Sequence, residues 1–130
     1  MREAILLFGA EEKVAIYLRK TLVSLRVMVR SIPQEQYAHS LGWLAGDKSC
    51  PTQREPYQGQ PLEKPLLLLA GFSPSRMELV LNAMRRGGLY FDYKAMLTPT
   101  NISWTFAQLC EELSREHQAV TGGGAAHSGQ

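Results

Sequence analysis

Cysteine is nearly absent from this chain: Cys50 and Cys110 are the only two in 130 residues, too few for a disulfide scaffold. Cys50 lies in a polar, proline-rich segment and Cys110 in a helical pattern, so both read as free thiols. Histidine is as sparse. His39, His117 and His127 are widely separated, and no His, Cys, Asp or Glu spacing resembles a zinc or iron–sulfur site. No metal or cofactor is expected. Long apolar runs are missing too: nothing approaches the roughly 18 residues that span a bilayer. The opening MREAILLFG has too short an apolar stretch for a signal peptide, and no segment has the basic amphipathic face of a membrane anchor. The cytoplasm is the expected location. Nor does one sign of charge dominate. Fourteen basic and twelve acidic residues leave a net charge of +2, and a nucleic-acid surface normally needs clustered positive charge. Nucleic acid is therefore disfavoured as a partner, although Arg76, Arg85 and Arg86 could share one helical flank.

What remains is an ordinary globular composition, 45% hydrophobic and 20% charged, of a length that suits one domain. Ala4 to Phe8 is an apolar run of strand length ended by Gly9. Val14, Tyr17, Leu18 and Leu22 then recur at helical spacing and predict a helix over 11–24. Leu25 to Ile32 reads as a second strand, stopped by Pro33. Ser31 and Gln34 could cap a helix over 33–45, which Gly42 weakens and Gly46 ends.

The composition changes over residues 46–64, where three prolines and two glycines describe an insert rather than a core element. Leu66 to Ala70 is a strand apolar enough to be buried on both faces, and so central. Ser73 is a natural N-cap with Pro74 at the first helical position. Met77, Val80, Leu81 and Met84 stripe the helix that follows, over 74–86, before Gly87 and Gly88 end it. Leu89 to Leu97 is the fourth strand, and Thr105 with Gln108 forms a capping box for a last helix over 106–117, where Trp104 and Leu109 occupy the positions of a hydrophobic staple. From 119 to 130 the chain loses periodicity and reads as a disordered tail.

The expected fold is therefore α/β: a small four-stranded sheet, parallel or mixed, built from two strand-helix-strand-helix halves. One domain over 1–118 would contain halves 1–45 and 65–118. Gly9 and Gly71 close the first strand of each half, and Ser31-Ile32-Pro33 parallels Leu97-Thr98-Pro99. Duplication and independent recurrence of the same βα geometry both account for this pattern. The first and third strands are expected to be neighbours, with the fourth toward an edge that bears Lys94. Helices on one face would leave the other free for dimerisation; helices on both would close it.

The Lys94-Ala95-Met96-Leu97-Thr98-Pro99-Thr100-Asn101 segment, with Trp104-Thr105 and the Leu/Glu-rich helix after it, resembles a bacterial family known as a domain of unknown function, DUF3783. Leu67 to Ser73 (LLLAGFS) and Met77 to Gly87 match the strand, turn and helix that precede this segment in the family. The resemblance covers roughly residues 65–117. Met96 stands where the family has an aliphatic residue. No activity comes with the resemblance, so it implies kinship without catalytic residues.

The candidate site is the strand-exit turn. Thr98, Thr100, Asn101 and Ser103 could simply bond to nearby backbone, or could line a crevice beside the strand ends. Lys94 could neutralise an anion there or serve as a solvated edge charge. Ser73 could supply an opposing donor or merely cap its helix. No nucleophile or proton-transfer pair is evident, so the chain is not expected to be an enzyme. The favoured reading is a non-enzymatic regulatory or protein-interaction module, with a protein partner or a homodimer. The alternative is a domain, or a minimal enzyme, binding a small polar or anionic ligand at Lys94, Thr98, Thr100 and Asn101.

Overall fold

A computed structural model describes residues 2–50 and 64–122, with 116–122 as backbone alone. Strand β1 (Ala4–Phe8), helix α1 (Glu12–Thr21), strand β2 (Met28–Ile32) and the single-turn helix α2 (Leu41–Leu44) come from the first half. Strand β3 (Leu66–Ala70), helix α3 (Pro74–Arg86), strand β4 (Tyr93–Met96) and helix α4 (Phe106–Gly122) come from the second. Every residue of β1 and β3 is buried, as their unbroken apolar runs require. Each of these strands leads into its helix through a glycine with positive φ, +76° at Gly9 and +79° at Gly71, a conformation that side chains with a Cβ resist.

The four strands form one mixed sheet in the order β2-β1-β3-β4. β1 pairs with β2 and β3 with β4 in parallel, while β1 and β3 pair antiparallel at the centre. Leu6 stands opposite Leu68, and each is the middle residue of its strand. The two halves are thus related by a local two-fold passing between these leucines. The register aligns Ile32 with Phe8, and Leu97 N–H donates to Leu69 O at 2.8 Å, continuing the β3–β4 ladder. Ile32 therefore corresponds to Leu97, one residue out of step with the likeness between Ser31-Ile32-Pro33 and Leu97-Thr98-Pro99.

Because side chains alternate along a strand, the sheet has two apolar faces and covers both. Ile5, Leu7, Val29, Leu67 and Leu69 pack against Ala15 and Leu18 of α1 and Val80 and Met84 of α3. On the other face Leu6, Phe8, Ile32, Leu66 and Leu68 pack against Leu41 and Leu44 of α2 and Phe106, Leu109 and Cys110 of α4. An aromatic trio fastens the second layer: the Phe8 and Phe106 rings stack 4.6 Å apart, and Tyr37 lies 4.4 Å from Phe106. Neither sheet face is left open for a dimer. α3 is tied to the first half by Arg76, which grips the Glu3 carboxylate with both Nε and Nη2 and also donates to Leu25 O.

Several elements differ from expectation. The first helix ends at Thr21, and the strand expected from Leu25 begins only at Met28, because a 3-10 turn occupies Val23–Leu25. The helix expected over 33–45 is instead a 3-10 turn at Gln34–Gln36 and the short α2. Pro33 precedes that turn with no side-chain cap, so Ser31 and Gln34 do not form one. The strand expected from Leu89 shrinks to Tyr93–Met96. Helix α4 runs on to Gly122, into the stretch read as tail; residues 123–130 and the central part of the insert, 51–63, lie outside the described residues.

Candidate functional site

The turn after β4 is built from its own side chains. Asn101 Oδ1 accepts from Thr98 N–H at 2.8 Å, and Asn101 N–H donates to Thr98 Oγ1 at 3.1 Å. Asn101 Nδ2 donates to Met96 O at 2.9 Å. Asn101 is buried, 8% exposed, so these bonds meet the needs of a polar group withdrawn from water. Pro99 holds the preceding residue extended and Ile102 N–H closes the turn onto Thr98 O. Thr98 and Asn101 thus work on the backbone; Thr100 and Ser103 are exposed.

The same turn carries the first half. Leu41 N–H donates to Trp104 O at 2.8 Å and Gly42 N–H to Ile102 O at 2.9 Å. The opening donors of α2, which a helix cannot satisfy internally, are therefore met by the 98–104 loop. Ser40 bridges Thr105 beside them, and its Oγ accepts from Trp43 N–H. Gly42, read from sequence as a weak point, allows this approach: a Cβ there would lie 2.6 Å from Ile102 Cγ1 and 2.9 Å from its carbonyl oxygen. Sequence reasoning missed this docking because nothing local to Gly42 reports on a residue sixty positions on.

Ser73 acts as a cap, its Oγ accepting from Arg76 N–H at 3.2 Å. The Thr105–Gln108 box forms as expected, with bonds of 2.8 and 3.3 Å. Lys94, Thr98 and Asn101 meet in one groove of about 540 Å³, whereas Ser73, Thr100 and Ser103 do not line it. The groove crosses the outer edge of β4. Met77 and Leu81 of α3 wall one side; Trp104, Leu109 and Leu113 wall the other, with Glu112 at the rim. Leu97 N–H points inward to β3, so by alternation Lys94 and Met96 turn their backbone groups outward. Of these, the Met96 oxygen is covered by Asn101. Lys94 is exposed and Met96 is 47% exposed.

The thiols are chemically quiet. Burial pushes Cys110 up to about 12, and burial together with Asp47 raises Cys50. Among the described residues no group of His, Cys, Asp and Glu could hold a metal ion, and no helix is long and apolar enough to cross a membrane.

Residues 65–120 match a family described as a domain of unknown function, DUF3783. That region takes in β3, α3, β4 and most of α4, and so includes the groove and the TPTN turn. The first half, with β1, β2 and the layer that α2 adds, lies outside the DUF3783 match. No curated protein and no solved structure matches the chain.

Proposed function

We propose that this protein is a non-enzymatic interaction module, belonging to the DUF3783 family through its second half, that takes up an extended segment of a partner protein along the edge of β4. One observation carries this reading: no strand among the described residues pairs with the outer side of Lys94 and Met96 on β4, which lies in a groove with apolar walls from both α3 and α4. Strand addition to such an edge supplies backbone hydrogen bonds, while alternate side chains fill the flanking walls. The segment would place apolar residues against Met77, Leu81 and Trp104, and an acidic residue opposite Lys94, which has no ion partner among the described residues. The side chains that first suggested a ligand turn, Thr98, Asn101 and Ser73, are engaged with backbone, which favours an interaction surface over catalysis. The reading takes the protein to be bacterial, like the family its second half matches, and cytoplasmic, where two free thiols persist.

The test is selection from a random peptide library displayed on phage, followed by binding of the enriched peptides to Lys94→Pro. Proline there removes an outward N–H and leaves the β3 ladder intact. Alternating apolar peptides that bind the native protein and lose at least tenfold against Lys94→Pro, at similar melting temperature, support the reading. No enriched peptide, binding indifferent to the proline, or a native dimer that the proline dissociates would each remove it, the last by making a second copy the occupant.

A further inference from the structure

The opposite edge of the sheet has a different chemistry. Outside β2, between α1 and the segment carrying α2, lies a groove of about 470 Å³ that contains Arg19, Arg30 and Lys48 and is lined, among the described residues, by no acidic one. Each cation is held in place by a neutral group. Arg19 donates from Nε and Nη2 to Val29 O at 3.4 and 3.2 Å. Arg30 Nη1 donates to Leu44 O at 3.2 Å. Lys48 Nζ sits 3.7 Å from the centre of the Trp43 ring, a cation–π contact, and Trp43 is itself packed against His39 at 4.1 Å.

Nearby carboxylates do little to neutralise them. Glu12 approaches Arg19 Nη1 only to 3.9 Å, with both side chains well exposed. Glu3 and Asp47 line a second groove with Arg30, but Glu3 is held by Arg76 and Asp47 is turned into its own loop, accepting from Ser49 N–H at 3.1 Å and Ser49 Oγ at 2.6 Å. The three charges are therefore positioned yet unsatisfied. Each guanidinium has five donors and uses only part of its fork, and among the described residues the Lys48 ammonium donates to no hydrogen-bond acceptor.

We propose that this groove binds the phosphate group of a small phosphorylated molecule. Donors from three separate side chains suit the several oxygens of a tetrahedral dianion better than a planar monoanionic carboxylate. Three cations lining one groove suit one or two phosphates rather than the extended backbone of a nucleic acid, and the chain's net charge is only +2. This site is separate from the β4 edge, and either can stand without the other.

The test is an amide-resolved NMR titration of the whole chain with sodium pyrophosphate and with inorganic phosphate, at ionic strength held constant by sodium chloride. The expected result is saturable shifts centred on Ser31, Trp43 and Lys48. Lys48→Gln should weaken binding severalfold, and Lys48→Glu by about tenfold or more. Both variants should melt near the native temperature, because Lys48 is exposed, and Lys64→Gln, on an exposed ion pair elsewhere, should bind as the native protein does. Shifts matched by sodium chloride alone, or retained in Lys48→Glu, would overturn the proposal. So would a single-stranded oligonucleotide that binds more tightly than pyrophosphate with a salt dependence of several phosphates, since the groove would then serve a polyanion.

Discussion

Asn101 reaches back across its turn to the main chain of Met96, donating from Nδ2 to the Met96 oxygen at 2.9 Å. The bond covers a carbonyl on the free side of an edge strand and fixes the loop whose own carbonyls hold α2. The motif's most distinctive residue is thus accounted for by structure before any ligand is invoked.

Asn101→Ala should cost about 2–3 kcal/mol in urea denaturation, because it strands Thr98 N–H and Met96 O in partly buried positions. Thr98→Val removes a single acceptor and should cost about 1 kcal/mol. Thr100→Ala and Ser103→Ala, both exposed, should fall within about 0.5 kcal/mol of native. A neutral Asn101→Ala would mean that these bonds do not hold the turn.

Gly42→Ala tests the docking of the two halves. Alanine improves helix propensity by roughly 1 kcal/mol in an ordinary helix. Here its methyl would press on Ile102, whose backbone oxygen cannot yield without breaking the bond from Gly42 N–H. The net effect should be a loss of about 1–3 kcal/mol, visible as a lower urea midpoint with an unchanged slope. A stabilised Gly42→Ala would show that Ile102 is not packed there.

What sequence could tell about this fold follows from how far each signal reaches. Helix α3 was legible to the residue because Ser73, Pro74 and Gly87 mark both ends locally. β3 was legible as central because five consecutive apolar residues need cover on both faces. The helix over Leu41–Leu44 was legible but not its start, because Ser40, Leu41 and Gly42 owe their conformation to Trp104, Thr105 and Ile102. The antiparallel Leu6–Leu68 pairing, and with it the mixed sheet, depends on a connection that carries no pairing signal. At the candidate site, the motif pointed to a loop that borders the β4 groove through Thr98, Asn101 and Trp104. The groove depends on Met77 and Leu81, which read only as part of a core stripe, and on Leu113 of α4, and the Arg19, Arg30 and Lys48 cluster exists only once β2 is at an edge.

Glu3 predicts a pH dependence. The hydrogen bonds from Arg76, with a smaller contribution from its charge, hold the Glu3 carboxyl below its ordinary value of 4.5. A depressed folded-state value means that the pair stabilises the protein above the unfolded value and stops doing so as pH falls through the folded one. Glu3→Gln should therefore melt a few degrees below native at pH 7. The two proteins should converge as pH drops below 4.5 toward the folded value, which melting curves across pH 7 to 3 would reveal. A gap that stays constant over that range would rule out the ion pair as its source.

The two cysteines should differ in how they react, not merely in how fast. Cys110 is 7% exposed and its thiol is pushed up to about 12, so at pH 8 roughly one molecule in 10⁴ carries the thiolate that alkylation requires. Cys50 is only half-buried, although burial and Asp47 raise it as well. Its sulfur also sits 2.5 Å from where a Gly42 Cβ would be, against the docked turn. Iodoacetamide at pH 8 should modify Cys50 slowly in the native protein and leave Cys110 untouched until the α2–α4 layer opens. Cys110 labelling, followed by mass spectrometry, should then speed up in Asn101→Ala and Gly42→Ala by about tenfold for each 1.4 kcal/mol of lost stability. Cys110 labelling as rapid as that of Cys50 in the native protein would contradict the packing of α4 against Phe8 and Leu66.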